Sequence, residues 1–171
     1  MEKLPSPSPL TDGERHDVSI DINSIFIIAC ERLEETGMVF FKMSGFGRDP
    51  WPVEVYPDLA CILEQLVEAI NAIRQDNYPF DLELYEQGTN KTIIFNEKKD
   101  AHTIEVKCRD FVPQRGDHYR GAWRPNPDKE LVKKNDILSQ LVELKASFIQ
   151  IVQNAYPDLA TEDLFIEWCK S

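Results

Sequence analysis

Apolar and polar side chains alternate in the middle of the chain. The alternation is strict over 80–85 and 103–108, and the intervening run 92–95 is rich in β-branched and aromatic residues. A period of two sends successive side chains to opposite faces of a strand, so one face can enter a core. Residues typical of turns separate the runs at 87–90 and 97–100. This pattern predicts an antiparallel meander of three strands.

Two further β-rich runs, 24–33 and 38–43, lie on either side of a turn-like segment, 34–37. Their β-branched and aromatic residues favour a hairpin whose strands are covered on both faces. Residues 25–34 also fit a short helix, and the sequence leaves that alternative open. Because 53–55 is a further candidate edge strand, we expect a sheet of five or six antiparallel strands.

Helical spacing of apolar residues predicts two principal helices. The first covers 58–76, with Asp58 as its N-cap and six apolar residues on one face. Those six residues are Leu59, Ile62, Leu63, Leu66, Ile70 and Ile73. The second helix covers about 130–155, and a short C-terminal helix covers 161–168. The predicted fold class is therefore α+β, with an antiparallel sheet of five or six strands packed against these helices.

Length and composition bound the class of protein. A chain of 171 residues, 42% of them hydrophobic, can bury one core, so we expect a flexible Pro/Ser leader over 1–16 and a single domain over 17–171. The longest apolar run, 25–30, is far shorter than the ~20 residues that a membrane span needs. The N-terminal residues lack the apolar stretch of a secretory signal. These features predict a cytoplasmic protein that does not enter membranes.

Charge indicates the class of partner. Thirty acidic residues against nineteen basic ones give a net charge of −11. Nucleic-acid binding depends largely on basic side chains that neutralise phosphates, so this balance argues against a nucleic-acid partner. An acidic surface attracts basic proteins and accelerates their association. We therefore expect one protein partner, and a basic one; the alternative is that the acidity serves solubility alone.

Residues capable of metal binding or catalysis are scattered along the chain. The cysteines are Cys30, Cys61, Cys108 and Cys169, and the histidines are His16, His102 and His118. Because none of them lies at ligand spacing from another, we predict four reduced thiols, no metal and no cofactor. Lys145 lies on the apolar face of the second helix, where we expect its stem to pack and its ammonium to reach water or a carboxylate. No nucleophile and base have a spacing that supports a dyad, so we expect no enzymatic activity.

Two surfaces are candidates for partner binding. The first is the irregular segment 110–127, which is rich in aromatic and guanidinium groups, the types enriched at binding hot spots. Its candidate contacts are Arg115, Tyr119, Arg120, Trp123 and Arg124. The candidate contacts of the second surface, the polar face of the meander, are Asp81, Glu83, Tyr85 and Glu105. Each surface has a structural alternative: the aromatic rings pin the segment over the sheet, and the charged face is simply solvated.

Three short runs accompany this small, acidic α+β pattern. They are the run from Phe80 to Gly88, the apolar run 93–95 and the tripeptide 51–53, Trp-Pro-Val. In overall character the sequence resembles the bacterial immunity proteins of polymorphic and contact-dependent toxin systems. The resemblance implies a cytoplasmic inhibitor that occludes the active site of a cognate toxin, often a basic nuclease. These proteins share no motif, so no contact residue is carried over. The alternative is a non-catalytic structural or regulatory subunit of a larger assembly.

Overall fold

The computed structural model of this chain describes residues 21–85, 89–98, 100, 102–110 and 123–171. Within these ranges the chain folds into five α-helices and four β-strands, which is the predicted α+β class. In chain order the elements are α1 (Ile22–Thr36), α2 (Ala60–Arg74), β1 (Phe80–Leu84), β2 (Lys91–Lys98), β3 (Thr103–Asp110), β4 (Lys129–Lys133), α3 (Lys134–Ala155), α4 (Pro157–Ala160) and α5 (Asp163–Lys170). The predicted leader, 1–16, lies outside the described residues.

The sheet is an antiparallel meander in the order β1-β2-β3-β4. The first three strands are those of the predicted meander, and cross-strand pairs such as Phe80 with Phe95 fix their register. β4 falls where the sequence predicted the start of the second helix, because α3 begins only at Lys134. Since the described residues form four strands, the prediction of five or six is wrong.

A helix stands where the first hairpin was predicted. The buried side chains of α1 recur at helical spacing and are Ile25, Phe26, Ala29, Cys30 and Leu33. The Asp21 carboxylate caps the helix by accepting a hydrogen bond from the Ser24 N–H at 2.7 Å. Gly37, at φ 61°, takes the left-handed conformation that ends it. Packing against α2 and α5 favours this conformation, because a helix gathers the apolar residues on one stripe.

Neither of the other two N-terminal runs forms a strand in the described part of the chain. From Met38 to Ser44 the backbone runs without helix, turn or bend and joins no strand. Val55 begins a wide turn, Val55–Leu59, rather than ending an edge strand. The Val55 N–H donates to the Glu34 carboxylate at 2.9 Å, so α1 satisfies a donor that a neighbouring strand would otherwise have to satisfy.

Helix α2 is the central element of the core and contacts α1, α3 and β1. The side chains of Leu63, Leu66 and Ile73 are completely buried. Burying one side chain of this size stabilises the fold by roughly 1.5–3 kcal/mol. Gln65 covers the open edge of β1, because its side-chain amide exchanges hydrogen bonds of 2.8 and 2.9 Å with the Glu83 backbone.

The C-terminal helices close the core over α1. The Trp168 ring of α5 packs edge-on against Phe26 of α1, with ring centroids 4.9 Å apart. Arg32 Nη1 lies 2.9 Å from Asp158 Oδ2 of α4. Helices α1, α4 and α5 therefore form one continuous side of the molecule.

Candidate functional site

The predicted contacts of the meander lie on the face of the sheet that points away from the core. Asp81, Glu83 and Glu105 alternate with buried residues of the same strands, and Asp81 is the most exposed of the three. Tyr85 follows β1, and its hydroxyl hydrogen-bonds to the Glu64 carboxylate of α2. The structure thus places Asp81 and Glu83 together on β1, with Glu105 two strands away.

Charges on the four strands, counted over both faces of the sheet, are balanced. Asp81 Oδ2 lies 3.9 Å from Arg109 Nη2, and Glu105 Oε1 lies 3.6 Å from Lys129 Nζ. On the four described strands the acidic residues are Asp81, Glu83, Glu97, Glu105, Asp110 and Glu130, and the basic residues are Lys91, Lys98, Lys107, Arg109, Lys129 and Lys133. Because six charges of each sign cancel, the strands do not create the acidic field that attracts a basic partner from a distance.

The second predicted surface is described only in part. Arg115, Tyr119 and Arg120 lie outside the described residues, whereas Trp123 and Arg124 lie within them. The half-buried Trp123 ring meets the Trp51 ring edge-on, with centroids 4.8 Å apart. Arg124 is exposed. The packing of Trp123 is the structural role that the sequence offered as the alternative for these aromatic residues.

A buried lysine joins Asp110 and Trp123, the residues that flank the segment 111–122. The Lys91 side chain is completely buried, and its Nζ lies 2.5 Å from Asp110 Oδ1 and 2.8 Å from the Trp123 carbonyl oxygen. The same Nζ lies 4.9 Å from the centre of the Trp123 ring, within the range of a cation–π contact. Asp110 immediately precedes the segment and Trp123 immediately follows it, so one ammonium group contacts both flanking residues.

Sequence reasoning missed Lys91, although a signal for it exists. Ile93 and Phe95 lie on the core-facing side of β2, and the same alternation extended by two positions reaches Lys91. A charge placed in line with core positions needs a partner. The register supplies one, because Lys91 pairs across the sheet with Asp110. Extending the strand phase to its first residue would have found the cluster.

The loop 45–51 is fastened to the start of β4 beside this cluster. The Phe46 N–H donates to Glu130 Oε1 at 2.5 Å, and the Asn126 N–H donates to the Phe46 carbonyl oxygen at 3.0 Å. Gly47 has a φ of 77°, and a Cβ there would lie 1.9 Å from the Asn126 carbonyl oxygen. Only glycine fits so close an approach of two backbones, so Gly47 permits the loop to dock against Asn126.

The surplus negative charge lies on α1 and on the C-terminal helices. Residues 21–36 carry four carboxylates against one arginine, and residues 157–171 carry four carboxylates against one lysine. The eight acidic residues are Asp21, Glu31, Glu34, Glu35, Asp158, Glu162, Asp163 and Glu167. The two groups meet at the ion pair between Arg32 and Asp158. We call the surface formed by residues 21–36 and 157–171 the acidic helical surface; with its one arginine and one lysine included, its net charge of −6 is more than half of the chain's −11.

An exposed aromatic residue follows helix α1 in the chain. Phe40 follows the end of α1 by four residues, and 89% of its surface is accessible to solvent. This is the largest exposed fraction among the large apolar side chains of the described chain. Met38, two residues earlier, is 55% exposed. Exposed aromatic side chains of this kind supply anchors in protein interfaces.

Two other ionisable groups are buried and are held by protein atoms. Asp58 accepts hydrogen bonds from the N–H groups of Glu54 and Thr89, each at 2.9 Å, and burial raises the pKa of its carboxyl to about 6. Lys145 donates to the Ser171 carbonyl oxygen at 2.6 Å, and burial lowers the pKa of its amine. A groove of about 250 Å³ between α2 and α3 leads to Lys145, and this volume is below the range of most ligand sites.

Among the described residues, no three histidine, cysteine, aspartate or glutamate side chains gather into a group that could hold a metal ion. No helix in the described ranges combines the length and the apolar character that crossing a bilayer requires. No protein-family model matches the chain, and no curated protein and no solved structure is similar to it. The surfaces and the charge distribution described above are therefore the basis for a functional proposal.

Proposed function

We propose that this chain is an inhibitory binding protein that neutralises one basic protein partner, in the manner of a bacterial immunity protein. The observation that carries the proposal is the acidic helical surface, whose net charge of −6 includes helix α1, and α1 ends four residues before the exposed Phe40. Charge of this sign attracts a basic partner, and an aromatic anchor supplies the type of contact that dominates binding energy. The inhibitor acts by covering the active site of the partner.

The cysteines support a cytoplasmic site of action. Cys30, Cys61, Cys108 and Cys169 are all free thiols, and the first three are buried. Disulfides are rare in reducing compartments, where buried thiols behave as small apolar residues. We therefore infer that the partner is neutralised inside the producing cell.

The contacts predicted from the sequence remain part of the proposal as an alternative binding face. They are Asp81, Glu83, Tyr85 and Glu105 on the sheet, with Arg115, Tyr119, Arg120, Trp123 and Arg124. Because the strand charges are balanced, this face would act through specific charge pairs at short range, whereas the acidic helical surface would act on the rate of encounter.

The decisive experiment is co-expression with the product of the gene immediately upstream. We expect that product to stop growth when expressed alone, growth to resume when this chain is co-expressed, and the two proteins to be captured as one complex. If the product is neither toxic alone nor retained by this protein, the immunity proposal is abandoned in favour of a subunit role.

The association and dissociation rates of the captured complex test whether charge on the acidic helical surface attracts the partner. Raising salt from about 0.05 to 0.5 M shortens the Debye length from roughly 14 to 4 Å, so the association rate should fall markedly while the dissociation rate changes little. The double variant Glu31→Lys with Glu35→Lys should slow association at least about tenfold. The matched variant Glu83→Lys with Glu105→Lys should slow it much less. The opposite ranking would place the partner on the sheet face.

A further inference from the structure

The segment from Met38 to Ser44 has a hydrogen-bonding edge that the described chain does not use. Within that part of the chain, no backbone N–H from Val39 to Ser44 donates a hydrogen bond, and Met43 accepts one from the Trp51 N–H at 2.9 Å. The backbone here has neither turn nor bend. Unpaired donors and acceptors along a backbone without turns or bends are a template for pairing with a further strand.

Exposure along this segment has the period of a strand. Val39, Phe41 and Met43 are partly buried against the core, whereas Met38 and Phe40 between them are exposed. The segment thus presents one side to the core and the other to solvent, as the edge strand of a sheet does. A strand added beside it would gain backbone hydrogen bonds and an aromatic contact with Phe40.

The charges near Met38, where the segment begins, determine whether an acidic or a basic strand can pair with it. The last turn of α1 contains Glu34 and Glu35 and no basic residue, although the C-terminal end of a helix favours cations. The Glu34 carboxylate binds the Val55 N–H, and Glu35 is exposed. Lys42, which points outward from the segment, is paired with Asp49 at 2.9 Å. The unbalanced charge at this end of the segment is therefore negative.

The two edges of the sheet fit a basic strand less well. Gln65 already hydrogen-bonds to the outer edge of β1 at Glu83. β4 carries the exposed Lys129 and Lys133, which would repel a basic strand. Only the segment 38–44 combines unpaired backbone, an exposed aromatic side chain and a negative neighbour within the described chain.

We infer that Met38–Ser44 receives an extended, basic segment of the partner protein as an added strand. An apolar side chain of that segment covers Phe40, and a lysine or arginine side chain faces Glu35. The basic character of the occupant rests on the proposed function, whereas the strand pairing rests on the geometry of Met38–Ser44 alone.

A peptide probe tests the pairing without the partner. The probe is a short peptide of alternating lysine and valine, and its control replaces every valine by proline, which has no N–H to donate. In an NMR titration we expect the lysine–valine peptide to shift the amide signals of 39–44 and to slow their hydrogen exchange at least about tenfold. The proline peptide should have no effect. Shifts that fall on β4, no shifts, or equal shifts with both peptides would overturn the inference.

Variants at exposed apolar positions supply a matched pair. Phe40→Ser should weaken peptide binding at least about tenfold, as expected for an aromatic anchor. Leu131→Ser, at a β4 residue that is 65% exposed, should leave it unchanged. Both side chains are largely solvated, so both variants should keep the native melting transition. Equal binding by Phe40→Ser and the parent protein would show that Phe40 is not the anchor and would overturn the inference.

The same variants on the captured complex separate this inference from the proposed function. If the upstream product is captured and Phe40→Ser binds it as the parent does, the immunity proposal stands and strand addition is wrong. If no partner is captured, the immunity proposal is abandoned and the peptide titration alone decides the inference. The last measurement is sedimentation of the protein by itself. If the protein forms a dimer in which the amides of 39–44 exchange slowly, the edge pairs with a second copy of the chain and the inference is overturned.

Discussion

Replacing Asp58 by Asn should change how stability depends on pH. Asp58 is 1% exposed, and desolvation by burial raises the pKa of its carboxyl from 3.8 to about 6. The hydrogen bonds from Thr89 oppose this shift, and the nearby negative charge of Glu34 adds to it. Because burial is the largest of these effects, the folded protein binds the proton of Asp58 more tightly than the unfolded chain does.

The magnitude follows from the pKa difference. A shift of about two units corresponds to roughly 3 kcal/mol of free energy of unfolding. The folded-state pKa lies above the unfolded one, so this stabilisation is fully present below about pH 4 and is lost as the pH rises to about 6. At neutral pH the folded protein therefore carries the whole cost of burying the Asp58 carboxylate.

Asparagine removes the titration but also changes the hydrogen bonds. Oδ2 of Asp58 accepts from Glu54 and Oδ1 accepts from Thr89, whereas asparagine supplies one acceptor and turns its NH₂ group toward the other donor. Leaving that donor unsatisfied costs about 1–3 kcal/mol at every pH. The difference in free energy of unfolding between the two proteins at any single pH is therefore uninformative. The change of that difference with pH is the test.

The assay is urea denaturation of both proteins from about pH 4 to pH 8. The free energy of unfolding of the parent, relative to that of Asp58→Asn, should fall by roughly 3 kcal/mol between pH 4 and pH 7. Asp21→Asn is the control with the opposite sign, because hydrogen bonds from Ser24 lower the pKa of the exposed Asp21 carboxyl. The Asp21 contribution is fully present above the unfolded pKa of 3.8 and is lost only as the pH falls below it, so the difference between parent and Asp21→Asn should stay constant from about pH 4 to pH 8. A difference between parent and Asp58→Asn that stays constant across the range would refute the argument from burial.

Three further predictions concern the core, the lysine cluster and the thiols. Leu66→Asp should abolish the cooperative melting transition seen by circular dichroism, because Leu66 is completely buried in α2; a native transition would contradict the core assignment. Lys91→Met should lower the free energy of unfolding by about 2 kcal/mol in urea titrations, since the Trp123 carbonyl loses its donor, whereas the half-exposed Lys107→Met should change it by less than about 0.5 kcal/mol. Thiol labelling followed by mass spectrometry should modify Cys169 fastest in the native protein and all four cysteines in denaturant without reductant; a missing pair of labels in denaturant would indicate a disulfide.

Local periodicity predicted the elements whose burial is one-sided. The strands of the meander and α2 each have an apolar face and a polar face, so the period of two or of 3.6 residues is visible in the sequence. The run 25–33 lacks this contrast, because nearly every residue from Ile25 to Cys30 is apolar and both periods fit it. Contacts with α2 and α5 decided in favour of the helix.

The predicted contact residues also show what strand periodicity alone cannot predict. The phase of β1 and β3 placed Asp81, Glu83 and Glu105 on the solvent side, and the structure has them there. The strand phase could not reveal that Arg109 lies beside Asp81 and Lys129 beside Glu105, because cross-strand neighbours depend on register and strand order. The net charge of −11 was likewise known without its location on α1, α4 and α5.

The sequence by itself determined the α+β class, the meander and α2, because these depend on patterns within a single element. Only the tertiary structure decided that Lys91 joins Asp110 to Trp123 and that the N–H groups from Val39 to Ser44 donate no hydrogen bond within the described part of the chain. Both features depend on which elements come into contact. Those contacts are determined by the burial of side chains that lie far apart in the chain. A β-rich run becomes a strand only where a neighbour offers its backbone, and at Met38–Ser44 the described part of this chain offers none.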